Sequence, residues 1–168
     1  DGLEADDLAA WIVGKKAEFG IGQIWMVSSD RDWDLLIQDG VSRFSTVTRK
    51  EITLDNWEDH YDVEPSMYLT QKCLAGDTGD NVPGIAGIGP KRAVSLIEQY
   101  GDLFDIYNAC PISSKYKFIQ SLNENADRLL LNAELMDLVS YSEQALIEAD
   151  MNLEDLSSQI MEYLNDTD

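Results

Sequence analysis

Histidine is nearly missing from this chain of 168 residues: His60 is the only one. That excludes His-rich metal sites and a Ser-His-Asp centre of the usual kind, because His60 sits in a polar segment, Glu58-Asp59-His60-Tyr61, that reads as surface. Cysteine is scarce too. Cys73 and Cys110 are far apart and fit no zinc-ligand spacing, so they read as reduced core thiols of a cytosolic protein. No apolar run approaches membrane-spanning length, and no N-terminal stretch has the form of a secretory signal. Basic residues are few: 12 Lys and Arg face 32 Asp and Glu, a net charge of -20. Such a charge repels phosphate and slows encounter with nucleic acid. Its distribution matters more than its sum. From residue 119 onward Arg128 is the only base, whereas bases cluster earlier at Arg43, Arg49-Lys50, Lys91-Arg92 and Lys115-Lys117. A basic face on an acidic body is compatible with this pattern, and hydrophobic content of 44% indicates one folded domain with its own core.

What is abundant is carboxylate, placed at the boundaries of elements. The periodicity of Leu8, Ala9, Trp11, Ile12 and Ala17 predicts a helix from Leu3 to about Phe19, ended by Gly20 and Gly22. Gln23–Ser28 reads as a buried strand, Ser29–Asp32 as a capped turn, Trp33–Ile37 as a short helix and Val41–Val47 as a second strand. Helices are expected over Ile52–Tyr61, Pro65–Leu74 and Lys91–Tyr100, with Pro90 and Gly101 bracketing the last. Further helices are expected near Asp102–Asn108, Ser114–Leu122, Glu124–Leu138 and Asn152–Leu164. This is an α/β front followed by a mostly helical region, divided into residues 1–80 and 81–168.

Three acidic groups stand out: Glu4-Ala5-Asp6-Asp7, Asp30-Arg31-Asp32, and Asp77 with Asp80. Asp30 and Asp32 point the same way if their backbone is extended. Glu4 can join Asp6 on a metal only if it lies at or before the helix start. Oxygen ligands without His or Cys favour Mg²⁺ or Mn²⁺. Seven carboxylates exceed the needs of one Mg²⁺ and suit two ions at roughly 3.5–4 Å, the arrangement that hydrolyses phosphodiesters. Any one of the groups, taken alone, also fits helix caps and solvated charge. The segment Gly84-Ile85-Ala86-Gly87-Ile88-Gly89-Pro90-Lys91-Arg92 puts flexible glycines before a helix start with two bases, a pattern able to grip phosphates without reading bases. It is neither a Walker loop nor a dinucleotide fingerprint, since a helix rather than a strand is expected before it. Close packing in a helix-turn-helix is its plainer use.

Four blocks in order resemble the 5′-nuclease family of flap endonucleases, phage-type 5′–3′ exonucleases and the 5′-nuclease domain of bacterial DNA polymerase I. They are Gly2-Leu3-Glu4-Ala5-Asp6-Asp7, Val27-Ser28-Ser29-Asp30-Arg31-Asp32-Trp33, Gly76-Asp77-Thr78-Gly79-Asp80-Asn81 and Gly84 to Ala93. The resemblance implies the C-terminal half of a PIN-like fold with a helix-three-turn-helix hairpin. It implies a first metal on Glu4 and Asp6, with Asp7 a ligand or its neighbour. A second metal would lie on Asp30, Asp32 and Asp80, with Asp77 close by or bound through water. The catalytic set would be Glu4, Asp6, Asp30, Asp32 and Asp80. The hairpin, with Gly84, Gly87 and Gly89, would hold duplex DNA bearing a 5′ end or flap, with a potassium ion on its carbonyls. Lys91 and Arg92 would contact phosphates, with Arg43, Arg49 and Lys50 as further contacts. In the family, strands and a helical arch precede the first of these blocks. The chain is therefore expected to be a fragment, a cleaved product or one subunit of a split enzyme, with the N-terminal half supplied in cis or in trans. It would act in the cytoplasm, that of the host if phage-encoded. A non-catalytic DNA-binding module using the glycine hairpin as a clamp is the alternative.

Overall fold

The structure is a computed structural model and describes residues Leu3 to Asp166. Gly2, the first residue of the first acidic block, lies outside them. The chain divides into two compact units, Asp1–Asp55 with Leu138–Asp168, and Asn56–Asp137. This division is not the one expected after residue 80. The physical reason is in the last two helices, which pack on the first.

In the first unit, α1 (Ala5–Gly14) is shorter than its periodicity predicted and gives way to turns through Gly20. Strand β1 (Ile24–Val27) pairs parallel with β2 (Val41–Ser45), Ile24 opposite Val41 and Val27 opposite Phe44. Residues 31–36 between them form a 3₁₀ turn rather than an α-helix. Strand β3 (Lys50–Ile52) then returns antiparallel to β2. A helix had been expected from Ile52. A tight turn overrides it: Ser45 Oγ accepts from the Thr48 amide at 3.2 Å, its carbonyl from Arg49 at 2.8 Å, and Arg49 takes φ 55°. Ahead of α8 (Leu153–Asn165), the Asn152 side chain accepts from the Glu154 and Asp155 amides. Leu153, Leu156, Ile160 and Leu164 recur at helical spacing and pack on the cluster of Trp11, Phe19 and Leu146. Leu146 comes from α7 (Leu138–Glu148), which also lies against α1. The acidic tail is thus half of this core.

The second unit is helical. Its elements are α2 (Tyr68–Ala75), the miniature strands β4 (Gly76–Asp77) and β5 (Val82–Pro83), α3 (Pro90–Tyr100), α4 (Leu103–Ala109), α5 (Lys117–Glu124) and α6 (Asp127–Met136). One core of Cys73, Leu74, Ile85, Ile88, Leu96, Ile106, Leu122 and Leu129 joins α2 to α6. Asn132, fully buried on α6, donates to the carbonyls of Cys73 at 3.0 Å and Pro83 at 2.9 Å, tying the glycine segment to the helices on both sides. The glycine segment is preceded by helix and strand together, since β4 follows α2 directly. The single helix expected over Glu124–Leu138 breaks at Asp137, whose extended backbone separates α6 from α7.

Candidate metal centre and nucleic-acid interface

The first unit gathers its carboxylates around Asp6. Glu4 is the N-cap of α1 with extended backbone, and its amide donates to Asp7 Oδ2 at 3.1 Å. Glu4 therefore lies at the helix start, where it had to lie to join Asp6. Asp6, half-buried, accepts from the Trp33 indole at 2.7 Å. Burial raises the Asp6 pKa above its ordinary value. The Trp33 hydrogen bond opposes that, and the charges of Asp30, Asp32 and Asp7 add to the rise. Two acidic groups far apart in sequence are thus close enough in space to repel one another. Asp30 caps the 3₁₀ turn, its Oδ1 accepting from the Asp32 amide at 2.9 Å, and its own amide donates to Ser28 Oγ. Asp32 lies inside that turn, so the extended alternation expected for the pair does not apply. The donor set is oxygen only, which fits a hard divalent cation.

Arg43 is not where a DNA contact would be. It is 4% exposed, its Nε and Nη2 hold Asp34 Oδ1 and Oδ2 at 2.5 and 2.8 Å, and its Nη1 donates to the Ser28 carbonyl at 2.9 Å. It braces from beneath the loop that carries Asp30 and Asp32. Arg49 and Lys50 are exposed. Sequence reasoning missed Trp33, Asp34 and the true place of Arg43. The Asp32-Trp33-Asp34 run ahead of a strand Arg is the signal that could have pointed to them.

In the second unit, Asp77 is committed to several donors. Lys72, itself buried, reaches Asp77 Oδ2 at 2.9 Å, while Oδ1 accepts from the amides of Gly79 at 2.8 Å and Asp80 at 3.3 Å. The Lys72 hydrogen bond is the main reason the Asp77 carboxyl stays below its ordinary pKa. Asp77 thereby builds the turn that presents the exposed Asp80. The hairpin glycines differ in role. A Cβ on Gly84 would run into the backbone of Ala75, and Gly87 takes φ 82° against Phe118, but Gly89 at φ -94° has ordinary backbone and open space. Of the three, Gly87 is the one whose backbone takes a conformation closed to other residues. Arg92 Nη1 donates to the Gly87 carbonyl at 2.6 Å, and its guanidinium lies 4.6 Å from the Phe118 ring centre. Lys91 is exposed at the start of α3. The carbonyls of Pro83, Ile85, Gly87 and Gly89 already accept from Asn132, Ile88, Arg92 and Ala93.

An acid cluster around Asp6 in the first unit, and a glycine hairpin leading into a basic helix start in the second, are the features on which the resemblance to the 5′-nuclease family rests. The comparisons agree. Residues 63–162 match the family model described as 5′-3′ exonuclease, C-terminal SAM fold. The chain belongs to that 5′–3′ exonuclease family. It is 40% identical over 146 residues to a flap endonuclease of Escherichia phage T5, covering 86% of this chain and 50% of that protein. It is 33% identical to a DNA polymerase I of Rhizobium leguminosarum, over 82% of this chain and 14% of that one. A crystal structure of the phage T5 flap endonuclease, described as a pseudo-enzyme-product complex with DNA and metal ions, superposes with TM-score 0.88 at 37% identity. It covers 96% of this chain and 60% of the other. A zinc-bound T5 5′-exonuclease gives TM-score 0.87 at 38% identity, over 96% and 60%. The chain spans about half the length of the T5 flap endonuclease and of a 5′-3′ exonuclease of Halalkalibacterium halodurans. Among the described residues no helix is long and apolar enough to cross a membrane.

Proposed function

We propose that this chain is the C-terminal part of a structure-specific 5′ nuclease that hydrolyses DNA phosphodiesters at 5′ ends or flaps. The observation that carries this reading is the convergence of Asp7, Asp30 and Asp32 on the half-buried Asp6. Three carboxylates whose charges make Asp6 costlier to ionise are a poor arrangement for stability and a good one for Mg²⁺ or Mn²⁺. Glu4 and Asp6 would hold the first ion, with Asp7 a ligand or its neighbour. As the resemblance implies, Asp30, Asp32 and Asp80 would serve the second, with Asp77, which Lys72 and the turn hold in place, close by or bound through water. When bound, the ions supply a hydroxide at neutral pH and stabilise the leaving oxygen.

The chain's own contribution is placement. Trp33 fixes the orientation of Asp6, Asp30 orders the turn that holds Asp32, and Lys72 orders the turn that holds Asp80. The hairpin and Lys91 grip the duplex backbone, with Arg49 and Lys50 as weaker contacts. The segments of the relatives that this chain does not span, provided in cis or in trans, complete the first metal site and the arch. Its site of action would be the cytoplasm, that of the host if the protein is phage-encoded. The test is Mg²⁺-dependent cleavage of a 5′-labelled flap duplex, with and without the N-terminal half of a relative added. Product near the junction that disappears with EDTA and with Asp30→Asn supports the reading. Duplex binding with no cleavage under either condition replaces it by the non-catalytic clamp.

A further inference from the structure

The two longest stretches of this chain without Asp or Glu are residues 81–97 and 106–123. In a chain of net charge -20 they carry Lys91, Arg92, Lys115 and Lys117 and no opposing charge. They meet in space. The Arg92 guanidinium lies over the Phe118 ring at 4.6 Å, and Phe118 stacks in turn on Tyr116, with ring centres 5.7 Å apart and planes 20° from parallel. Three planar groups therefore form a ladder that starts at the hairpin. Its inner end is fixed, because Arg92 also donates to the Gly87 carbonyl.

Its outer rung, Tyr116, is 58% exposed. Exposure here is not looseness. The Tyr116 amide donates to Ser114 Oγ at 3.2 Å, and its carbonyl accepts from the Ile119 and Gln120 amides at 3.1 Å as the N-cap of α5. The segment just before it is clamped by Asn123, which exchanges two hydrogen bonds with the Ile112 backbone at 2.7 and 2.8 Å. Lys115 and Lys117, on either side of the ring, are exposed and make no ion pair with a described residue.

We propose that Tyr116, flanked by Lys115 and Lys117, is a stacking platform for an unpaired base of a nucleic-acid strand beside the duplex-gripping hairpin. The base continues the ladder on the outer face of the ring, and the lysines take the phosphates on either side of it. An ordered aromatic surface loses little freedom when a base lands on it, and every base has a π face, so the contact tolerates any sequence. Charge complementarity selects the occupant: this is the acid-free part of an acidic chain, so a polyanion with planar groups fits it. The inference rests on the reading of the hairpin as a nucleic-acid clamp.

Fluorescence anisotropy at low salt tests it, with a blunt labelled duplex and the same duplex carrying a short single-stranded dT overhang. The wild-type chain binds the overhang duplex more tightly. Tyr116→Ala removes that advantage, about tenfold, and leaves blunt-duplex affinity unchanged, while Tyr116→Phe and Tyr116→Trp keep it. Lys91→Ala weakens both probes alike. An equal loss on both probes in Tyr116→Ala, or no wild-type preference for the overhang, overturns the platform and leaves the clamp standing. A wild-type chain that binds neither probe overturns the clamp and the platform together.

Discussion

Arg43 offers the sharpest separation between a surface contact and a structural brace. Its side chain is 4% exposed and that of Asp34 is 0% exposed, and the two share a two-pronged hydrogen-bonded contact. Arg43→Met keeps the bulk of the side chain and removes the charge, stranding a carboxylate away from water. Breaking one partner of such a pair costs about 3–5 kcal/mol, more than the pair itself contributes, because the remaining charge is left uncompensated. The Ser28 carbonyl loses a donor as well. With a urea slope of about 1–3 kcal/mol per M, the midpoint is expected to fall by roughly 2 M. Trp11, Trp25 and Trp33 all belong to the unit that holds the pair, so tryptophan fluorescence reports on it. The double variant Arg43→Met with Asp34→Leu is expected to recover most of the loss, since a well-packed apolar pair replaces a buried ion pair at little cost. A loss below about 1 kcal/mol in Arg43→Met would refute the reasoning. So would an unchanged urea midpoint combined with a reduced salt dependence of DNA binding, the behaviour of a phosphate contact.

Mg²⁺ is expected to raise the melting temperature of the chain, because it binds the folded carboxylate cluster and not the unfolded chain. Asp6→Asn is expected to melt higher than wild type without metal and to lose most of the Mg²⁺ response, as differential scanning fluorimetry would show. Asn132→Leu removes the donors to two buried carbonyls and is expected to destabilise the helical unit by about 2–4 kcal/mol in chemical denaturation, with far-UV CD as readout. Burial pushes the Cys73 thiol up from 9.0 to about 12. Neutral Cys73 therefore contributes its stability in full below pH 9.0, and the contribution is lost as pH climbs towards about 12. A Cys73→Ala variant should show a shallower alkaline fall in stability over that window. In native protein at mildly alkaline pH, iodoacetamide should label the partly exposed Cys110 and spare the buried Cys73.

Much of this was legible in the chain because the signals were local. Pro90 and Gly101 bracket α3 where the structure has it, and Asp102 caps α4 through the amides of Phe104 and Asp105. Glu4 at a helix start, and three acid groups at element boundaries, follow from capping and strand-end chemistry. The failures came from contacts that no window of sequence contains. Arg43 looks like an outward strand base because its partner Asp34 lies on a different element. The hold of Lys72 on Asp77 is equally silent in the sequence, because Lys72 belongs to the preceding helix. Lys50–Ile52 is too short for an alternating pattern to register and owes its strand to pairing with Phe44 and Ser45. The domain boundary was misplaced because the apolar stripe of α8 says that the helix is amphipathic but not which core it joins.

That the last two helices complete the core of the first has a consequence during synthesis on the ribosome. Residues 56–137 hold a whole helical core and can settle as soon as they have emerged. The unit that carries Asp6, Asp30 and Asp32 has to wait, because Trp11 and Phe19 have no cover until Leu146 and the stripe of α8, made well after residues 56–137, have emerged. A ribosome that stalls before residue 138 would release a chain with an ordered middle and an unfinished front. The quality of the acidic centre is therefore decided by residues made long after its carboxylates, and far from them in sequence.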